Sequence, residues 1–208
     1  DLAVYEEFNR GQDNDWRKAY AAMNELLFKK HPYGTQTTIG EGEHLKNPSM
    51  VKIHDYFNKY YVANNMAICL SGDLDVDKTL AMIKKYFGGL KSGEVNAPVM
   101  PTEDAIASPR DTSVYGPMAE SVRVAYRVGG YHSDDAIMVQ LFDIIMSNGQ
   151  AGIIDLELNQ KQKVLSAGSG PNVMHDYSVY SLSGNPKQGQ SLDRKSTRLN
   201  SSHLVISY

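Results

Sequence analysis

Val122-Arg-Val-Ala-Tyr-Arg-Val128, with Gly129-Gly130 behind it and Ser133 opening the run to Ile145, carries the clearest fold signal in the chain. The alternation through 122–128 predicts a strand, because successive side chains on extended backbone point to opposite faces. Two glycines interrupt it. Ser133 then stands at the cap position of a helix whose Ile137, Leu141, Ile144 and Ile145 recur at three-and-four spacing. Asn148-Gly149 is a helix stop, and 152–161 predicts a further helix carrying Ile153, Ile154, Leu156 and Leu158. Lys163-Val-Leu-Ser-Ala167 and Tyr177-Ser-Val-Tyr-Ser-Leu182 supply two more strands. Strands and helices mix without the even βα units of a doubly wound sheet, so the expected class is α+β, with antiparallel or mixed sheets and packed helices.

Upstream the pattern is helix, helix, strand, helix. Trp16, Ala19, Tyr20, Met23, Leu26 and Leu27 share one helical face behind the capping candidates Asn14 and Asp15. That helix should end before His31-Pro-Tyr-Gly34, since Pro32 biases His31 away from helical backbone. A Thr- and Gly-rich loop runs to Asn47-Pro48-Ser49, where Pro48 suits a first helical position behind an Asn cap. Met50, Ile53, Phe57 and Tyr60 or Tyr61 mark a second helix, broken by Asn64-Asn65. Met66 to Ser71 reads as a covered strand, and Asp75 to Asp77 cap a helix through Phe87 that Gly88-Gly89 stops. Residues 91–118 hold four of the eight prolines and no sustained period, which makes them a connection between structural units.

The 208 residues are 41% hydrophobic and 22% charged, which excludes fibrous and wholly disordered classes. No apolar run approaches the roughly 20 residues of a membrane-spanning helix. A net charge of -3 excludes the basic field of a nucleic-acid-binding surface. The one cysteine, Cys69, has no intramolecular disulfide partner and is expected as a small buried side chain. The chain opens Asp1-Leu-Ala-Val-Tyr-Glu-Glu, as if inside an element, and is read as an internal piece of a longer parent whose compartment is unknown.

Residues 194–208, Arg194 to Tyr208, switch abruptly to a Ser-, Thr- and Arg-rich composition. They resemble the recurrent translation of a sequencing-library adapter and are read as an artefactual, disordered tail. Setting aside Arg194, Lys195 and Arg198 leaves 18 basic against 24 acidic groups, so the remaining 193 residues carry a net -6.

Motif chemistry is sparse. There is no His-Glu-x-x-His, phosphate-binding loop or nucleophile elbow. Gly40-Glu-Gly42 and Gly168-Ser-Gly170 lack the strand and helix of a phosphate cradle and are expected in turns. His31, His44, His54, His132 and His175 are dispersed, whereas zinc needs three converging protein ligands. Glu6-Glu7 on the first helix reads, from spacing alone, as a solvated face.

Taken in order, Asp1-Leu-Ala-Val-Tyr-Glu-Glu7, His31-Pro-Tyr-Gly34, Ile39-Gly40, Tyr60-Tyr61, Asn64-Asn65-Met66, Gly72-Asp73 and Phe87-Gly88 resemble the pitrilysin, insulinase and mitochondrial processing peptidase family of zinc metallopeptidases. Gly149-Gln-Ala-Gly-Ile-Ile-Asp-Leu-Glu-Leu-Asn159, Lys163-Val-Leu165 and Gly184-Asn-Pro-Lys-Gln-Gly-Gln190 look like the family's second repeat. The resemblance covers about residues 1–192. It implies a repeated α+β fold of the LuxS and processing-peptidase type. Residues 1–95 would be the C-terminal part of the first peptidase domain, 96–118 a linker and 119–193 the start of a second, homologous domain.

The resemblance also implies a parent that binds zinc through an upstream His-x-x-Glu-His motif and hydrolyses peptides or unfolded polypeptides. Its third metal ligand is a glutamate in a Val-x-x-Glu context, matched here by Glu7, with Glu6 a less favoured register. Both zinc histidines and the general base lie outside this chain, so the piece itself is expected to be inactive. The alternative is a non-catalytic structural or interaction subunit of the same family. Implied partners are the substrate polypeptide and the remaining domains of the same chain. His31-Pro-Tyr-Gly34 and Asn64-Asn65-Met66 carry over as architectural motifs only.

Overall fold

The computed structural model describes residues 2–190 and the backbone of 202–206. They fall into two compact units, residues 1–42 with 100–208, and residues 43–99.

The larger unit is built on a five-stranded sheet of β1 (Arg110–Val114), β2 (Val122–Gly129), β3 (Ser166–Asn172), β4 (Tyr177–Asn185) and β5 (Ser202–Ile206), in the order β1-β5-β2-β4-β3. Every pair is antiparallel except β2 with β5, so the sheet is mixed, as the α+β reading requires. β2 and β4 share the longest register, with Tyr126 opposite Tyr180 and Arg123 opposite Ser183.

Two helices precede the sheet, α1 (Leu2–Gln12) and α2 (Asp15–Leu27). Asn14 caps α2 as expected, its side chain accepting from the Arg17 backbone N–H. Met23 and Leu27 are buried, and with Phe28 they form a core against Ala125 of β2 and Val179 of β4. Fully burying a Leu or Phe side chain contributes about 2–3 kcal/mol, so this seam fixes α2 on its face of the sheet. The opposite face meets α7 (Asp134–Met146), where Asp143 accepts from Ser169 Oγ at 2.6 Å and Tyr180 Oη at 3.1 Å.

Several local expectations change. His31-Pro-Tyr-Gly34 is more than a stop: α3 (Pro32–Thr35) is a single helical turn with His31 as its cap. The smaller α4 (Gly42–Lys46) also lies in the stretch read as loop. β1 lies in the Pro-rich connection, because Arg110–Val114 gains a ladder partner that composition does not reveal. Gly168-Ser-Gly170 is in strand β3 instead of a turn, paired along β4. The predicted strand from Lys163 begins only at Ser166, after a turn with Gln162 at φ 49. The helix expected over 152–161 is a π-helical turn at Asp155–Asn159.

In the segment read as an adapter-derived, disordered tail, 194–201, 207 and 208 lie outside the described residues. At Ser202–Ile206 the expected disorder gives way to a strand. Leu204-Val205-Ile206 is apolar and largely β-branched, and pairing there satisfies backbone groups of β1 on one side and β2 on the other.

The smaller unit holds α5 (Met50–Tyr60), a 3₁₀ turn at Ala63–Asn65 and α6 (Val76–Phe87). Ser49, not Asn47, caps α5, and Asp75 caps α6 by accepting from the Lys78 N–H. Asn64 exchanges two 2.9 Å hydrogen bonds with the Gly93 backbone, and Asn65 donates to the Tyr60 carbonyl. Those three bonds give Asn64-Asn65 a structural task. Met66–Leu70 forms no regular element and pairs with no strand among the described residues, so the expected covered strand is absent and Cys69 is exposed rather than buried.

Candidate functional site

A polar cluster lies where α2 ends. Leu27 and Phe28 anchor the chain in the core, and the backbone then turns through Lys30 and His31 into α3. His31 is 1% exposed. Its Nδ1 accepts from the Tyr33 backbone N–H at 3.2 Å, which leaves the proton on Nε2. That Nε2 sits 3.3 Å from Asp176 Oδ2, an electrostatic contact too far off the N–H axis to be a hydrogen bond. Tyr33 and Tyr177 stand edge-on to the imidazole, with ring centroids 4.2 and 5.3 Å away.

Beneath this turn lies an ion pair. Glu103 and Arg127 are 3.2 Å apart, with 3% and 9% of their side chains exposed. Glu103 Oε1 accepts from the Lys30 and His31 backbone N–H groups at 2.6 and 2.7 Å, while its own N–H donates to Tyr177 Oη at 2.9 Å. Arg127 donates to the Leu27 and Asp104 carbonyls and lies over the Phe28 and Tyr177 rings. Burial pushes the Glu103 carboxyl up, but the backbone N–H groups of His31, Lys30 and Lys29 and the Arg127 guanidinium outweigh it and hold the group below its ordinary 4.5. Asp176 is likewise held below its ordinary 3.8, first by its hydrogen bond with His175 and then, against desolvation, by His175 charge and His31.

These contacts make a clamp. Both charges are spent on backbone and ring partners, and His31 has its acceptor nitrogen occupied, so none is aimed at an open cavity as a general base would be. Gly34 belongs to the same fit: a Cβ there would run into the Phe28 and Asn24 carbonyl oxygens.

Sequence reasoning missed Glu103, Arg127, Asp176 and Tyr177. One signal was present, because Arg123 and Arg127 share the face of β2 that carries buried Ala125. A charged residue on a buried face needs a partner. Glu103 gave no such signal, since it lies in an aperiodic stretch and its role depends on the fold. Asp155 also went unseen. It is buried and accepts at 2.9 Å from both the Asn148 and Gly149 N–H groups, locking the turn after α7.

The metal reading fares differently. Glu6 and Glu7 lie on exposed positions of α1. Among the described residues no group of three His, Cys, Asp or Glu side chains converges as a metal ion requires. The described residues therefore do not by themselves make a zinc site, which takes three or four protein ligands.

Residues 50–199 match the family model described as the peptidase M16 inactive domain. A zinc protease of Helicobacter pylori, PqqE, is 25% identical over 192 residues, covering 84% of this chain and 42% of that protein. The fold is similar to the crystal structure of pitrilysin, with a TM-score of 0.72, 19% identity, and coverage of 89% of this chain and 21% of that one. An M16 inactive domain from Pseudomonas fluorescens gives a TM-score of 0.58 at 17% identity, covering 88% and 45%. The chain spans less than half the length of the curated relatives it matches. With 150 of its residues matched by that model and the mixed α+β sheet in place, the chain belongs to the M16 peptidase family of pitrilysin and insulinase.

Proposed function

We propose that the described residues serve as a non-catalytic structural domain of an M16-family protein, holding α2 and the His31-Pro-Tyr-Gly34 turn on the sheet. The buried Glu103–Arg127 clamp carries this reading, because its polar groups are consumed within the fold and leave none facing a substrate. Support also comes from the inactive-domain description of the matching family model. A lone carboxylate such as Glu7 neither completes a tetrahedral zinc site nor supplies the base that activates water. The test is cleavage of a quenched fluorescent peptide set and of an unfolded protein by the 208-residue chain with zinc supplied. No chelator-sensitive turnover is expected, and zinc-dependent turnover would overturn the proposal.

The zinc-protease name of the Helicobacter relative favours a second reading at the level of a longer parent. In it, an upstream His-x-x-Glu-His segment binds zinc and Glu7 completes the ligand set on α1, with peptides or unfolded polypeptides as substrate and the remaining domains as partners. Residues 1–95 and 119–193 would then be parts of two repeats joined through 96–118. Sequencing the locus upstream tests it: an open reading frame lacking His-x-x-Glu-His removes the zinc role, and finding that motif supports it.

A further inference from the structure

The Arg127 guanidinium donates to Glu103 and to the Leu27 and Asp104 carbonyls, whereas that of Arg123, four residues earlier on the same face of β2, has no such partner among the described residues. Among the described residues the Arg123 guanidinium makes no ion pair and no hydrogen bond. It lies over the Trp16 ring, the guanidinium carbon 4.0 Å from the ring centroid. The side chain is half-buried, and burial lowers the Arg123 pKa against a smaller opposing effect of Tyr20. Water is thus partly stripped from the guanidinium with no counter-charge from the described residues in its place.

Arg123 opens onto a groove of about 390 Å³ between α2 and the sheet. Trp16 and Tyr20 form one wall, Ser181 and Ser183 of β4 offer hydroxyls on the floor, and Asn172, whose amide donates to Tyr20 Oη at 3.3 Å, closes one end. On β3 the floor is bare: Gly168 and Gly170 have no side chain, and a Cβ at either would meet nothing within 4 Å. The volume lies within the roughly 300–1,000 Å³ range of ligand sites.

We infer that this groove is a carboxylate-binding site, in which the Arg123 fork, held flat by Trp16, takes a carboxylate borne on a short extended peptide. A planar guanidinium pairs with a carboxylate through two parallel hydrogen bonds, and stacking on an indole leaves its edge free for that pairing. The hydroxyls of Ser181 and Ser183 suit the peptide's amides, and the glycine floor admits its backbone. Neither the clamp nor the structural role proposed above requires this site. The carboxylate could be an acidic side chain or a peptide C-terminus, which share the chemistry.

Trp16 is the one tryptophan in the sequence, so its fluorescence reads the site directly. The 208-residue chain is titrated with three short peptides: one with a glutamate and blocked ends, one of alanines with a free C-terminus, and one of alanines with both ends blocked. Saturable emission change is expected for at least one of the carboxylate peptides, with affinity about tenfold or more above the neutral one, and the tighter of the two identifies the source. Arg123→Gln should abolish the preference with circular dichroism unchanged. Gly170→Val, which fills the floor without touching Arg123, should weaken the carboxylate peptides as well. Equal response to neutral and carboxylate peptides, no saturable response to any of them, or a preference that survives Arg123→Gln would overturn the assignment.

Discussion

Replacing Glu103 by alanine removes the acceptor for the Lys30 and His31 backbone N–H groups and the counter-ion of Arg127 in one step. Breaking a buried ion pair by deleting one partner costs about 3–5 kcal/mol, and each buried donor left unpaired costs about 1–3 kcal/mol. These costs overlap here, since Arg127 keeps the Leu27 and Asp104 carbonyls and the Lys30 N–H lies near solvent. The net loss for Glu103→Ala is therefore about 3–4 kcal/mol, or about 6–16 °C in Tm for a chain of this size. Glu103→Gln retains a carbonyl for the two N–H groups and loses only the charge, so about 1–2 kcal/mol is expected. Urea and thermal unfolding followed by circular dichroism measure both. A loss below about 1 kcal/mol for Glu103→Ala, or equal losses for the two variants, would refute the clamp.

The same carboxylate predicts a pH dependence. Its folded pKa is held below the ordinary 4.5, so the stability it contributes is complete above that value and is lost as pH falls through the lowered folded value. Glu103→Gln should flatten the acid limb of a stability-against-pH curve measured in urea, and an unchanged limb would count against the assignment. Gly34→Ala drives a Cβ into the Phe28 and Asn24 carbonyls and should cost about 1–3 kcal/mol or more. Gly89→Ala, which meets open space, should stay within about 0.5 kcal/mol by thermal unfolding. Asp155→Ala strands the Asn148 and Gly149 N–H groups and should cost about 2–4 kcal/mol in urea unfolding. Hydrogen exchange at those two amides should rise in step.

What could be read from the sequence was what local chemistry settles alone. The strand at Val122–Val128, helix α2 with Met23 and Leu27 turned inward, and the Asn14 and Asp75 caps emerge in place, because period and capping are properties of a few neighbouring residues. β1 and Met66–Leu70 failed in opposite directions for one reason. A strand exists only with a partner, so the unremarkable Arg110-Asp-Thr-Ser-Val114 becomes one beside β5, while the strand-like Met66–Leu70, with no ladder in its unit, forms no strand. The expectation that Cys69 is buried failed with it. The clamp was hidden because Glu103 and Arg127 are 24 residues apart and Glu103 meets His31 across 72. His31-Pro-Tyr-Gly34 was recognised as architectural, but nothing local shows that His31 caps α3 through its own ring.

Zinc stoichiometry bears most directly on the non-catalytic reading. After equilibrium dialysis of the 208-residue chain and of Glu7→Gln against micromolar zinc, metal analysis should find far less than one bound equivalent, with no difference between the two proteins. One equivalent bound by the parent chain and lost in Glu7→Gln would contradict that reading and place a metal site on α1.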